Sequence, residues 1–348
     1  MELNSMTLKE LRNVFQKGGL QTFRGNQLFS FFHNSKRTDI ENSNLSKKSL
    51  ELIKDEKIDT LEIIQVYTSQ KDGTKKFLFR LDDGNIIEGV LMKYKHGYSQ
   101  CISTQVGCKM GCSFCASTKE GLIRNLTPAE MLQQVYQVEN KFEIIISNII
   151  LMGSGEPLDN FSNVIRFLEL LHDEKGHNMS YRNMTLSTCG IAPRVRQLGE
   201  LHMPINLAVS LHETNNDNRS KLIPINRKYN LENLKDALLD YQKKTKNRIT
   251  FEYTLIAGHN DKDINVKELT SMTKGLKCHI NLIPLNPIEE FNQDRPKREE
   301  VVKFKKLLEK QGLQVTIRRE LGSDIEASCG QLRRKFERGE NIEVCCSN

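Results

Sequence analysis

Three features of this 348-residue sequence predict an α/β protein: a partial (βα)6 barrel with a small N-terminal helical domain and a β-hairpin extension. Over residues 1–60 apolar side chains recur at helical spacing with no strand pattern. Two β-runs around a turn signal come next. Beyond them, short apolar strands alternate with amphipathic helices, the pattern of parallel strands joined by crossover helices. The expected boundaries are 1–65 for the helical accessory domain, 66–93 for the hairpin linker, 94–322 for the barrel core and 323–348 for a C-terminal segment.

Taken in order, Leu8, Leu11 and Phe15, then Leu28, Phe31 and Phe32, mark two helices, and "NSNLSKKSLELI" offers a polar start to a third. The hairpin pairs "KKFLFRL" with "IIEGVLMKY" across "DDGN". A short run, "SQCISTQ", leads into a group of cysteines. The alternation then proceeds through helix "LTPAEMLQQVYQVEN", strand "IISNIILM", helix "NFSNVIRFLELLHDE", strand "MTLST", helix "APRVRQLGEL" and strand "NLAVSL". It ends with "LENLKDALLDYQKK", "ITFEYTLI", "VKELTSMTKGL", "HINLIPL", "REEVVKFKKLLEKQ" and "QVTIRR". Six such units are too few to close an eight-unit barrel. Polar or glycine-bearing segments fall after the strands: "GCKMGC", "GSGEP", "STCG", "SLH" and "NP". In barrels of this kind those loops converge on one face and build the active site.

Composition narrows the class. Hydrophobic residues make up 38% and charged residues 27%, and no apolar run approaches the length of a membrane span. The start lacks the basic–apolar–small layout of a signal peptide, so a cytoplasmic protein is expected. Nine cysteines, odd in number and unevenly grouped, argue for metal or redox chemistry over a disulfide framework. The net charge of +7 and the stretches "KKSLELIKDEK", "QKKTKNR" and "QLRRKFERG" fit an anionic partner such as nucleic acid. Each stretch alone reads as a solvated face.

In "GCKMGCSFCAS", Cys108, Cys112 and Cys115 sit on one short loop. Three thiolates so spaced can each take a corner of a 4Fe–4S cluster, leaving the fourth iron open to a small chelating molecule. Zinc is the alternative, but structural zinc wants four ligands, and no CxxC or HxxxH partner lies nearby in the sequence.

The CxxxCxΦC pattern on a partial barrel resembles the radical S-adenosylmethionine (SAM) superfamily. The segments "IIEGVLMKYKHGYSQCISTQVGCKMGCSFCASTKEGLIRNLTPAEM", "MGSGEPLDN", "SLHETNNDNRSKLIPINRKY", "NLIPLNP" and "SDIEASCGQLR" resemble its adenine-C2 methyltransferases of 23S ribosomal RNA and tRNA. This resemblance runs from about Asp72 to Arg333, with a weaker echo in "FRGNQLFSFF". It implies the radical SAM partial barrel, a 4Fe–4S cluster on Cys108, Cys112 and Cys115, and two S-adenosylmethionine molecules per turnover. The implied partners are 23S rRNA near the peptidyl-transferase region, tRNA at the adenosine 3′ of the anticodon, and an electron donor such as flavodoxin or ferredoxin. The helical N-terminal domain is implied to help grip RNA.

Adenine C2 is electron-poor and its hydrogen is not acidic, so simple methyl transfer from a sulfonium lacks a nucleophile; a protein thiolate supplies one. By resemblance, Cys329 takes the methyl group, Cys101 later resolves the RNA–protein adduct as a disulfide, and Glu88 accepts the C2 proton. Read alone, Cys101 is a core residue of its strand and Glu88 a hairpin glutamate, although its place in an apolar run suits an inward carboxylate. Gly155 and Glu156 match the family's contact to the methionyl ammonium, where a carboxylate suits a cation. Ser187, then Ser210, Leu211 and His212, and finally Asn286 match further cofactor contacts. The bland readings are turn formation for the glycines of "GSGEP", a structural histidine for His212 and a cap for Asn286. Two residues depart from the family pattern: Ser154 stands where methionine is common, and Cys189 replaces a small residue. The neighbouring reading is the C8-methylating antibiotic-resistance branch, against which Pro157 leans.

Overall fold

The computed structural model describes residues 2–286, 291, 293–325 and 327. A 3-10 turn at Leu3–Ser5 precedes helices α1 (Leu8–Lys17), α2 (Phe23–His33) and α3 (Lys47–Ile53). Thr7 and Glu10 cap α1 reciprocally, each side chain meeting the other's backbone N–H, and Ser46 accepts from the Ser49 amide to start α3.

Strands β1 (Leu61–Thr68), β2 (Lys75–Leu81) and β3 (Ile86–Tyr94) form an antiparallel run. The second and third are the expected hairpin, turned at Gly84 with φ +83°. The first corrects the sequence reading. It begins inside the stretch assigned to the helical domain, so the extension has three strands. Its residues 63–67 are half-buried without alternation, which hides the period-2 signal.

The barrel follows as β4 (Gly97–Cys101), the small antiparallel pair β5 (Gln105–Gly107) and β6 (Leu122–Asn125), α4 (Pro128–Phe142), β7 (Ile146–Leu151), α5 (Phe161–His172) and β8 (Met184–Thr188). It continues with α6 (Ala192–Glu200), β9 (Asn206–Ser210), α7 (Asn216–Leu222), α8 (Leu231–Thr245), β10 (Ile249–Leu255), α9 (Asp263–Thr273), β11 (Cys278–Pro284), α10 (Arg298–Lys310) and β12 (Val315–Ile317). Ten strands make one sheet in the order β1-β2-β3-β4-β7-β8-β9-β10-β11-β12, parallel from β4 onward. Among the described residues nothing pairs β12 with β1, so the barrel is partial.

Alternation along the strands separates two faces. Leu151, Leu186, Leu207, Val209, Phe251, Tyr253, Ile280 and Leu282 are buried in the apolar core. On the other face, register aligns Ser210 with Glu252, Glu252 with Asn281 and Asn281 with Thr316. This row is polar, so the concave side of the sheet is built to receive something other than a core.

The N-terminal helices share that apolar core rather than standing apart. Ser5 Oγ accepts from the Ala129 amide at the start of α4 (3.1 Å), His33 Nδ1 meets Tyr136 Oη (3.2 Å), Lys36 pairs with Glu139 (2.7 Å), and Glu10 pairs with Arg166 on α5 (2.6 Å). Phe29, buried on α2, packs its ring 4.5 Å from that of His33. Phe29→Ala should therefore cost about 3–5 kcal/mol and lower the whole unfolding transition in scanning calorimetry. A barrel transition left at the wild-type temperature would show that the helices fold independently.

Candidate active site

The cysteine loop leaves β5 at Gly107, where φ is +74° and a Cβ would lie 2.0 Å from Gly121 O. Only glycine fits that crossing. The Cys108 amide donates to Gly121 O (2.9 Å), the Cys115 amide to Cys112 O (3.1 Å), and Thr118 Oγ1 to the carbonyls of Cys112 and Cys115. The Ser113 amide donates to Leu222 O at the end of α7 (3.0 Å). Burial pushes the Cys108 thiol up to about 11. It also raises Cys112, as do its neighbours Cys115 and Cys108. Three thiols thus share a space where their anions repel one another, an arrangement that a polycationic iron–sulfur core would reverse. The donor set fits a 4Fe–4S cluster.

The loop after β7 crosses over the end of β4. A Cβ on Gly153 would sit 2.6 Å from Ile102 O, and one on Gly155 (φ +105°) 2.6 Å from the Gln105 Cβ. Both glycines therefore serve close backbone approach. The Ser154 amide donates to Ser103 Oγ (2.9 Å), the Thr104 and Gln105 amides to Ser154 O, and Ser154 Oγ lies 3.1 Å from Ser117 Oγ on the cysteine loop. The buried Glu156 carboxylate accepts from the amides of Leu158 (3.0 Å) and Cys189 (2.8 Å). Burial raises its pKa, against those hydrogen bonds. A buried carboxylate with lone pairs to spare suits an incoming ammonium. Cys189, the departure in "STCG", is buried beside Glu156 and Cys112; burial first, and then these two neighbours, raise its thiol pKa far above the usual range.

Half-buried Ser187 on β8 pairs in register with Ala208, and Ser210 ends β9. Leu211 and His212 both donate their amides to Glu252 O (3.0 and 3.2 Å). His212, at φ +53°, is buried; its Nδ1 accepts from the Thr254 amide (3.0 Å), so the ring is neutral with its proton on Nε2. Burial and nearby Arg219 hold its pKa down to about 3. Its ring stands 4.8 Å from Phe114 of the cysteine loop, edge to face. Asn286, after β11, is exposed and accepts from Arg295 (3.3 Å).

Strand register brings Glu88 and Cys101 to one face. Val90 pairs with Cys101, Lys76 with Val90, and Leu78 with Glu88, so Lys76, Glu88 and Cys101 point the same way. Cys101 also pairs with Ile150 on β7. Glu88 is buried and its Oε2 lies 3.4 Å from the Nζ of buried Lys76. The Glu88 carbonyl accepts from Ser103 Oγ (2.7 Å), tying β3 to the loop that Ser154 crosses. Cys329, Cys345, Cys346 and "QLRRKFERG" lie outside the described residues.

Other parts read differently from the sequence alone. "QKKTKNR" lies where α8 ends and β10 begins, at the end of the barrel away from the strand-end loops. Lys244 there pairs with Glu200, and the lysines suit the helix C-terminus. The sequence reading missed four polar residues, the buried Lys76, Glu252 and Arg219 and the half-buried Asn281. Lys76 looked like one more basic residue in "KKF". Glu252 and Asn281 bond to each other across β10 and β11 (2.9 Å). Arg219, on the short helix α7, is wholly buried. For these, the one sequence signal was a charged or amide residue inside an otherwise apolar or motif-bearing run.

Residues 102–269 match the model of the Radical SAM superfamily. A protein of Clostridium novyi named "Probable dual-specificity RNA methyltransferase RlmN" is 48% identical, the match covering 96% of this chain and 98% of that protein. A protein of the same name from Alkaliphilus metalliredigens is 48% identical, over 97% of this chain and 96% of its own. The crystal structure of a radical SAM methyltransferase from Sphaerobacter thermophilus superposes with a TM-score of 0.89 at 39% identity, covering 95% of this chain and 98% of that one.

One titrating group borders the site. Glu213, next to His212, is buried, with Oε1 2.9 Å from His259 Nε2. Burial, and secondarily Glu268, pushes its carboxyl from 4.5 up to about 7, against the Thr214 amide. Between those values the folded state binds the extra proton, so this group's contribution to stability falls as pH rises through that window and is level above it. Glu213→Gln should flatten that slope in urea unfolding measured from pH 4.5 to 8. An unchanged slope would assign it to other groups.

Proposed function

This chain belongs to the dual-specificity RNA methyltransferase family of the radical SAM superfamily, and from that premise we propose that it methylates C2 of adenosine in 23S rRNA and in tRNA. It is an S-adenosylmethionine-dependent radical enzyme acting on RNA, and its superfamily carries a 4Fe–4S cluster. Among the described residues no helix is long and apolar enough to cross a membrane. The observation that carries the finer reading is the shared face of Glu88 and Cys101. The dual specificity in the relatives' names supports two RNA substrates.

When bound, the cluster supplies the electron that cleaves S-adenosylmethionine to methionine and a 5′-deoxyadenosyl radical. In our reading Cys108, Cys112 and Cys115 hold that cluster. Gly155, Glu156, Ser187, Ser210, Leu211, His212 and Asn286 seat the cofactor, with Glu156 toward its ammonium. The Cys329 thiolate first displaces the methyl group from one S-adenosylmethionine, leaving S-adenosylhomocysteine. A second S-adenosylmethionine, cleaved in that way, would remove a hydrogen atom from that S-methyl group and leave as 5′-deoxyadenosine. The carbon would bond to C2 of the adenine, and one electron would pass from the adduct back to the oxidised cluster. Glu88 takes the C2 proton. Cys101, as thiolate, attacks the Cys329 sulfur; the S–C bond breaks, the released CH2 carbon takes a proton to become the methyl group, and methylated RNA leaves as the disulfide closes. An electron donor such as flavodoxin or ferredoxin supplies the reducing equivalents.

Glu88→Gln should keep cofactor cleavage but lower RNA methylation by roughly 10²-fold or more, the usual contribution of a positioned general base. Single-turnover assays separate the two steps, and undiminished methylation would remove Glu88 from this role. With an active cluster, Cys101→Ala should accumulate an RNA–protein crosslink through Cys329, detectable as a shifted band and by peptide mass spectrometry. Nucleoside mass spectrometry fixes the position: an 8-methyl product would sink the C2 assignment in favour of the antibiotic-resistance chemistry.

A further inference from the structure

We propose that Arg219 is a positioning residue that seats the cluster loop against the barrel and raises the reduction potential of the cluster held by Cys108, Cys112 and Cys115. Helix α7, which carries it, lies within the "SLHETNNDNRSKLIPINRKY" segment, of which only "SLH" has been given a role.

Arg219 is 0% exposed. Its Nε donates to Leu211 O (3.1 Å), Nη1 to Asn226 Oδ1 (2.9 Å), and Nη2 to Cys189 O (2.8 Å) and Ser210 O (3.0 Å). Four of the five N–H groups of a guanidinium are thus engaged. Three of the acceptors are carbonyls at the ends of β8 and β9, where the proposed cofactor contacts lie. Through the backbone the same helix reaches the other partner: Leu222 O accepts from the Ser113 amide (3.0 Å), and Leu222 and Ile223 pack with Cys108 and Met110. The residue therefore joins the cofactor-facing strand ends to the loop that carries the cluster.

Every one of these acceptors is neutral, and among the described residues no carboxylate pairs with Arg219. A buried cation left without a counter-charge is costly. Burial lowers its pKa to about 10, opposed by the nearby thiols of Cys189 and Cys112. A cluster provides the missing negative charge. A dicationic oxidised core with three thiolates is a monoanion, and reduction adds a second negative charge. A fixed cation beside it stabilises the reduced form more than the oxidised one, and cluster potentials follow net charge and nearby hydrogen bonds.

The test is reductive titration, followed by electron paramagnetic resonance, of the full-length chain reconstituted anaerobically without S-adenosylmethionine. Iron and sulfide content and a thermal melt are measured on each sample. Arg219→Met, once loaded, should shift the reduction equilibrium about tenfold or more toward the oxidised cluster, a fall in midpoint of about 59 mV for one electron. Arg219→Lys, which keeps the charge, should load and stay near the wild-type midpoint. A loaded methionine variant with the wild-type midpoint overturns the proposal. Should the methionine variant fail to fold or load, the lysine variant decides. Loading at the wild-type midpoint supports the charge role; failure to load, or a lowered midpoint, overturns it.

Discussion

A backbone crossing holds the active face together. The chain passes over the end of β4 at Gly153 so closely that a Cβ there would lie 2.6–2.7 Å from three atoms of Ile102 and Ser103. Hydrogen bonds run outward from this point in both directions. Ser154 reaches Ser103, whose hydroxyl caps the Glu88 carbonyl. Glu156 reaches the amide of Cys189, whose carbonyl is held by Arg219. The extension strand bearing the proposed base, the cysteine loop and the ends of three barrel strands are thereby one connected body. Substrate and cofactor chemistry separated by several elements in sequence depends on that connection.

The electrostatics of the chamber follow from the same geometry. The sheet's outer face is apolar and sealed by helices, whereas its concave face places Ser210, Glu252, Asn281 and Thr316 side by side. Burial destabilises the charged form of Glu156 and of Cys108 alike. Arg219 bears a cation with neutral acceptors. In the proposed reading, a zwitterionic sulfonium cofactor and an anionic cluster would supply the charges opposite to these buried groups.

Much of this was legible in the sequence. The alternation of strands and helices located the barrel, because each strand is apolar on its buried face and each helix keeps its period. β2 and β3 were readable to the residue from "KKFLFRL", "DDGN" and "IIEGVLMKY". β1 was not, since Ile63, Ile64, Val66 and Tyr67 break alternation on a half-buried strand. α7 was not, because "NDNRSKL" is polar, seven residues long and started by an Asn215 cap that also reads as a turn. The role of Lys76 depends on a neighbour twelve residues away and on pairing register, neither of which periodicity reports. Conversely, the glycines of "GSGEP", weak on sequence grounds, prove to be points of close backbone approach once the atoms opposite them are known.

Register is the last constraint, and it is written in three letters, "EGV". A one-residue slip of β3 would turn Glu88 away from Lys76 and Cys101 and drive it among buried Phe77 and Phe79. Gly89 blocks that slip by demanding its own place. A Cβ there would lie 2.8 Å from the Phe79 ring and 3.2 Å from Cys101 O, so the site accepts glycine and rejects either neighbour. The lysine diagonal to Glu88 adds a second lock, because Lys76 is buried and the Glu88 carboxylate is an ion-pair partner for it on that face. Ser154, unusual at its position, ties the same body to the cysteine loop through Ser117. A methionine has no hydroxyl for that link and would have to fill the space by packing instead. The proposed base, the resolving thiol and the cluster loop are thus aligned by the absence of one side chain and the charge of another.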